Sequence, residues 1–252
     1  MHLNLAKISG QSMLGKLLRL PLALIPHGAA VPVVQGPLRG VRWIVGASSH
    51  GCWMGCYEFS KQRLFAGTVR PGQVVYDIGA NVGFYTLLAS VLVGPTGRVL
   101  AFEPLPRNVD YLRTHMRLNH CDNVAVVMAA VSDTTGTARF DGSGDSSMAH
   151  LATEGALAVE TVTLDQMVFT RGEPPPQVLK IDVEGAEVAV LQGGRQTIET
   201  YGPTIFLALH GPELQHQCFA WLRARGYQVT PITGTLEQSD EILAVAGRWE
   251  KG

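Results

Sequence analysis

The chain has 252 residues, 46% of them hydrophobic, which suits a single α/β domain with a large buried core and a terminal extension. Its 20 Lys and Arg and 21 Asp and Glu are scattered and give a net charge of −1, so no broad cationic face is offered to nucleic acid. Small molecules are therefore the expected substrates.

Residues 14–34 are apolar enough to suggest a signal or membrane segment, but Arg19, Pro21, Pro26 and His27 interrupt the run, so no stable span is expected. A short amphipathic helix with Lys7, Lys16 and Arg19 outside is the preferred reading. Capping a pocket, forming a homo-oligomer and touching a membrane surface all stay open as its role. Residues 41–67 follow, rich in glycine and aromatics, including Trp43, Trp53, Tyr57 and Phe65, and are read as strands or a lid. The cysteines, Cys52, Cys56, Cys121 and Cys218, form no even disulfide framework, and Cys52 with Cys56 lacks the second pair a structural zinc needs. A reduced, cytoplasmic setting is expected by default.

The segment VVYDIGANVGFYTLLAS, residues 74–90, carries the most information. Val74, Val75 and Tyr76 read as a buried strand that ends at Asp77. Gly79 and Gly83 allow a tight turn and a close backbone approach to a ligand, and Asn81 tolerates unusual dihedrals. A helix from Phe84 would aim free N–H groups at that ligand. The pattern is DxGxNxG, not the closer-spaced GxGxxG of dinucleotide sites, and an acid beside a helix start suits the zwitterionic end of S-adenosylmethionine better than a pyrophosphate.

A second strand, GRVLAFEP, places Glu103 where it can accept both hydroxyls of an adenosine ribose. Pro104 and Pro106 stop it, and residues 108–119 read as an amphipathic helix. Residues 124–128 are expected as a buried strand. Ser132 and Asp133 then leave the sheet where an adenine edge could lie, although turn chemistry explains Asp133 equally well. Residues 141–156 have the composition of a surface loop, and residues 158–164 alternate as a strand pairing with residues 137–140.

The segment PPPQVLKIDVEGAEVAVLQGG gives a strand over residues 177–181, an acidic turn and a helix over residues 186–191 closed by Gly193 and Gly194. Asp182, Glu184 and Glu187 crowd the strand's carboxyl end, on the ligand side of an open parallel sheet. Glu187 is read as complementing the helix dipole. Residues 204–209 form the next strand and lead to His210, opposite the acids and placed to act as a base. Residues 227–230 and 241–246 close the chain as an edge hairpin.

Taken together, VYDIGANVGFYTLLAS, AFEP, AVSDTTG, LKIDVEGAEVAVLQGG and the His210 turn resemble the FkbM family of S-adenosylmethionine-dependent methyltransferases over residues 67–246. The resemblance implies a Rossmann-like class I methyltransferase fold: a seven-stranded, mostly parallel sheet, helices on both faces and an antiparallel last strand. It divides the chain into an extension over residues 1–66 and a cofactor-binding domain over residues 67–252. It also implies an enzyme that methylates a hydroxyl on a sugar, polyketide or other small natural product. Carried over by position, Asp77, Gly79, Asn81 and Gly83 hold the methionine end, Glu103 the ribose, and Ser132 and Asp133 the adenine. Phe84, Pro104, Asn108 and Asp182 complete the cofactor set.

The strand leads into IDVEG, not NPPY, which favours oxygen over a base amino group as acceptor. His210 or Asp182 is the expected base, with Glu184 orienting one of them. A divalent metal on Asp182 and another acid is the less favoured route, and no metal ligands are assigned. The alternatives are an NAD-dependent oxidoreductase and a non-catalytic module binding a partner through its N-terminal aromatics.

Overall fold

The computed structural model describes residues 25–141, 150–151 and 157–247. The expected N-terminal amphipathic helix and most of the expected 141–156 loop lie outside the described residues. Among the described residues no helix is long and apolar enough to cross a membrane.

The main sheet has seven strands in the order β12-β13-β11-β10-β3-β4-β5. Its parallel centre consists of β3 (Val74–Ile78), β4 (Arg98–Phe102), β5 (Val124–Val127), β10 (Val178–Ile181) and β11 (Thr204–Ala208). The edge hairpin is β12 (Tyr227–Pro231) and β13 (Glu241–Ala246), and β13 inserts antiparallel between β12 and β11. The architecture expected from the resemblance is thus the one observed. Because β3 lies between β4 and β10, chain order reverses there and opens a crevice at the strands' carboxyl ends.

Strand alternation sorts the core into two layers. Tyr76, Leu100, Leu179 and Leu207 face one layer, covered by α5 (Glu187–Gly193), α6 (Arg195–Tyr201) and α7 (Pro212–Arg223). Val75, Val99, Val178 and Phe206 face the other, covered by α3 (Phe84–Val93) and α4 (Pro106–Leu118). Helix α3, FYTLLASVLV, is apolar almost all round and needs cover on its outer side as well. The N-terminal aromatics supply it. Trp43 on β2 (Arg42–Ile44) and Tyr57 meet Phe84 edge-on, and Phe65 of α2 (Phe59–Thr68) packs between Tyr85 and Phe206. A short helix, α1 (His50–Met54), precedes α2, and β1 (Ala30–Pro32) pairs antiparallel with β2, so the end of the 14–34 run is a strand.

Several boundaries differ from the expectations. Strand β3 runs on through Asp77, which is buried within it. Pro106 opens α4 instead of ending a strand, because its fixed φ suits a first helical turn. Strand β5 is only partly buried, since it is the sheet's outer edge. After β5 the chain leaves the main sheet, and Ala130–Val131 forms β6 of a second sheet in the order β6-β9-β7-β8. There β9 (Leu157–Val162) pairs with β7 (Gly136–Asp141), as the alternation predicts, and β8 is His150–Leu151.

His115 of α4 fastens the N-terminal layer. Its Nε2 accepts the Ile44 N–H at 3.0 Å, its Nδ1 donates to the Val82 carbonyl at 2.8 Å, and its ring stacks on Trp43. Burial pushes its pKa down to about 4, against the opposing pull of the Val82 carbonyl. The folded state therefore binds this proton less readily than the unfolded chain, whose pKa lies near 6.5. The contribution is fully present above pH 6.5 and is lost as pH falls toward 4, by up to about 3 kcal/mol. Urea midpoints should fall between pH 7 and pH 4.5, and His115→Gln should flatten that slope. An unchanged slope in the variant would remove His115 as its source.

Candidate active site

A cavity of about 180 Å³ opens at the carboxyl ends of β3, β4 and β10. Its floor is the turn from Gly79 to Val82, with Phe84 and Tyr85 of α3 beside it. One side is Phe102 to Leu105, another Ala129 to Val131, and the far wall is Lys180, Asp182, Val183 and Glu184. Ser48, Cys52 and Tyr57 of the N-terminal layer complete it.

Glu103 is built into this cavity by three donors. Its Oε2 accepts the Asn81 N–H at 2.8 Å, and its Oε1 accepts the Leu105 N–H at 3.0 Å and Asn108 Nδ2 at 3.1 Å. Burial raises its pKa, and the three donors oppose the rise. Asn108 lies behind Glu103 and orients it without lining the cavity.

The turn differs from its expected role as a cradle of free donors. The N–H groups of Gly79 and Ala80 bond to the Phe102 carbonyl, that of Asn81 to Glu103, that of Val82 to the Asn81 side chain, and that of Gly83 to the Ala80 carbonyl. Asn81 does adopt the left-handed conformation, at φ 50°. The glycines answer to protein neighbours: a Cβ on Gly79 would lie 1.9 Å from the Asp182 carbonyl oxygen, and one on Gly83 would lie 2.5 Å from Leu112 Cδ1. Gly79 lines the cavity, whereas Gly83 does not.

Asp77 sits beneath the cavity, 1% exposed, and does not line it. Thr86 Oγ1 donates to its Oδ2 at 2.6 Å, and Lys180 Nζ lies 3.2 Å from its Oδ1. Lys180 also donates to the Gly79 carbonyl at 2.9 Å and stands 3.7 Å from Asp182 Oδ2. The group that reaches the cavity is thus the lysine. Ser132 and Asp133 also miss the lining, because Ser132 bonds along β6 to the Val162 carbonyl and turns its hydroxyl to Asp133. Ala130 and Val131 hold the wall expected of them. Pro104, Phe84 and Asp182 line the cavity as expected.

The acids after β10 converge on His210. Its Nδ1 is 2.5 Å from Glu187 Oε1, and its Nε2 is 3.3 Å from Glu184 Oε2 and 3.8 Å from Asp182 Oδ1. Glu187 is fully buried and, beyond any dipole effect, is the group that fixes the imidazole. The Glu187 hydrogen bond, opposed by burial and joined by Glu184 and Asp182, holds the His210 pKa above its ordinary value. Glu184 stands at φ 51°, a strained position for a residue with a side chain. Lys61 of α2 also reaches this edge, with Nζ 3.8 Å from Asp182 Oδ2, 3.0 Å from Glu58 Oε2 and 2.5 Å from Glu241 Oε1. Burial opposes Asp182's charge, but Lys180, Lys61 and His210 hold its pKa below the ordinary carboxylate value. Lys61, Lys180 and Glu58 were not singled out from the sequence. A lysine inside the apolar run VLKI was the available signal, since a buried lysine demands an acid.

Residues 77–229 match the profile of the methyltransferase FkbM domain. The chain is 29% identical over 140 residues to hexuronic acid methyltransferase AglP of Haloferax volcanii, covering 55% of this chain and 56% of that protein. It is 28% identical over 219 residues to 31-O-demethyl-FK506 methyltransferase FkbM of Streptomyces tacrolimicus, covering 73% and 84%. It also superimposes on the crystal structure of an FkbM methyltransferase from Methylobacillus flagellatus with a TM-score of 0.52 at 16% identity, covering 79% of this chain and 55% of that one. The chain thus spans little more than half the length of the AglP protein and of that solved chain.

Removing Lys180 would leave Asp77 as an uncompensated buried charge. Lys180→Met should therefore destabilise the fold by about 3–5 kcal/mol, measured by urea denaturation. Lys180→Met combined with Asp77→Leu should recover part of the loss. A single variant as stable as the parent would refute this account of the pair.

Proposed function

The chain belongs to the FkbM methyltransferase family, and from that premise we propose that it transfers a methyl group from S-adenosylmethionine to a hydroxyl of a small molecule. The observation that carries this reading is Glu103, a carboxylate fixed by three donors at the end of β4 and lining the cavity, where an adenosine ribose would meet both of its oxygens. When bound, S-adenosylmethionine supplies a methyl group already activated by its sulfonium.

The residues around the cavity divide the work. Gly79, Ala80 and Asn81, with Lys180 and Asp182 as the nearby charges, take the methionine end, and Asp77 acts through Lys180. Ala130 and Val131 face the adenine. The acceptor hydroxyl is held at Asp182, Glu184 and His210, which favour loss of its proton as the oxygen attacks. Alignment of that oxygen with the S–methyl bond supplies much of the rate. Oxygen is the chosen acceptor because IDVEG follows β10, and the name of the Streptomyces relative specifies an oxygen position. A hydroxylated saccharide or polyketide is the acceptor class this supports.

Titration calorimetry on the intact chain should show saturable S-adenosylmethionine binding, weakened about 10- to 100-fold in Glu103→Ala through loss of charge-assisted hydrogen bonds. Absence of binding to the parent protein would sink the proposal. With a panel of hydroxylated metabolites, His210→Ala should lower S-adenosylhomocysteine production at least about 100-fold while leaving cofactor affinity within about twofold of the parent. Full turnover in that variant would exclude His210 from proton loss.

A further inference from the structure

We propose that Asp182, Glu184 and His210 form a binding site for one divalent cation. This rests on the methyl-transfer reading and gives that reaction its means of ionising the acceptor.

The geometry comes from two strand ends. One ligand atom from each of the three residues lies within 4.8 Å of the other two. His210 Nε2 is 3.3 Å from Glu184 Oε2 and 3.8 Å from Asp182 Oδ1. Donors sharing a cation at about 2.1 Å stand about 3 Å apart, so small side-chain rotations complete the set. The histidine is already turned for the task. Glu187 takes Nδ1, which leaves the Nε2 lone pair facing the two carboxylates, the way a carboxylate positions a metal-bound imidazole.

Charge gives an independent indication. Glu187 is fully buried; its Oε1 meets His210 and accepts the Gly185 N–H at 3.0 Å, and its second oxygen, Oε2, has no hydrogen-bond partner. A buried carboxylate with one oxygen unpartnered marks negative charge that these two donors do not fully settle. The nearby lysines do not supply the missing cation. Both approach Asp182 through Oδ2, leaving Oδ1 toward His210, and their charge is met by Asp77, Glu58 and Glu241.

Two carboxylate oxygens and one imidazole suit Mn²⁺ or Mg²⁺ among the available divalent ions, with Zn²⁺ as a competitor. Asp182 and Glu184 line the cavity, so an open coordination position faces the acceptor. There the cation lowers the acceptor's pKa. The O–H bond breaks and its proton passes to water. The oxygen's electron pair forms the new C–O bond, and the S–methyl bond breaks with its pair returning to sulfur, leaving S-adenosylhomocysteine.

The test is Mn²⁺ titration of the full chain followed by electron paramagnetic resonance. One Mn²⁺ should bind per chain, with spin-echo modulation from a single imidazole nitrogen. Glu184→Gln and His210→Gln should each weaken binding at least about tenfold, and Glu187→Gln about 10- to 100-fold, with circular dichroism confirming that each is folded. No saturable Mn²⁺ binding, no nitrogen modulation in the parent protein, or unchanged affinity in the folded variants overturns the proposal. The spectrum of the parent protein decides the matter even where a variant does not fold. Calorimetry with S-adenosylmethionine on the same samples separates the premises. Cofactor binding without Mn²⁺ overturns the cation site alone, and Mn²⁺ binding without cofactor overturns the methyl-transfer reading alone.

Discussion

The site depends on one buried cation. Lys180 lies in a central strand with almost no exposure, and its ammonium is shared by Asp77, Asp182 and the Gly79 carbonyl. Burial opposes its charge, but Asp77 and then Asp182 outweigh that and hold its pKa above the ordinary value. Such a pair is a poor source of net stability, because desolvating the charges costs about as much as their attraction returns. Its consequence is positional. The lysine ties the turn after β3 to the turn after β10. Gly79 belongs to the same joint, since only a residue without a side chain lets the Asp182 carbonyl come so near.

The N-terminal layer is bound to this joint through a second lysine. Lys61 joins Glu58 on its own helix to Asp182 and to Glu241 on β13. Tyr85 donates to Glu58, which carries the network into α3. These residues precede or follow the stretch matched to the FkbM domain, apart from Tyr85 and Asp182 within it. Ser48, Cys52 and Tyr57 line the cavity from the same layer. The part of the chain least constrained by the family profile is therefore a wall of the site, and it also covers an otherwise exposed apolar face of α3.

How much of this was legible follows from what kind of information each feature needs. Apolar runs and turn residues are local, so the strands of the main sheet and the pairing of β9 with β7 could be read from the sequence. Glu103 was legible for the same reason, standing directly after an apolar run. The Asp77–Lys180 pair was not, because it depends on β3 and β10 lying side by side in a register that sets Lys180 opposite Asp77. Nothing local to either strand specifies that pairing. The role of Glu187 was hidden differently. An acid in a first helical turn has a sufficient local explanation in the helix dipole, and only the turn after β11 brings His210 against it. Ser132 and Asp133 were misplaced because a two-residue strand leaves the main sheet one step earlier than its composition suggests.

The two lysines also decide where negative charge remains. Lys180 faces Asp77 and one oxygen of Asp182, and Lys61 faces Glu58, Glu241 and that same oxygen. The acids around the two lysines are thereby compensated, while His210 faces Glu184, Glu187 and the outward oxygen of Asp182. A carboxylate cluster in that position raises the affinity for protons and cations at the mouth of the crevice, not at its floor. Charge is thus concentrated at the mouth of the crevice, while the floor has its N–H groups already engaged within the protein.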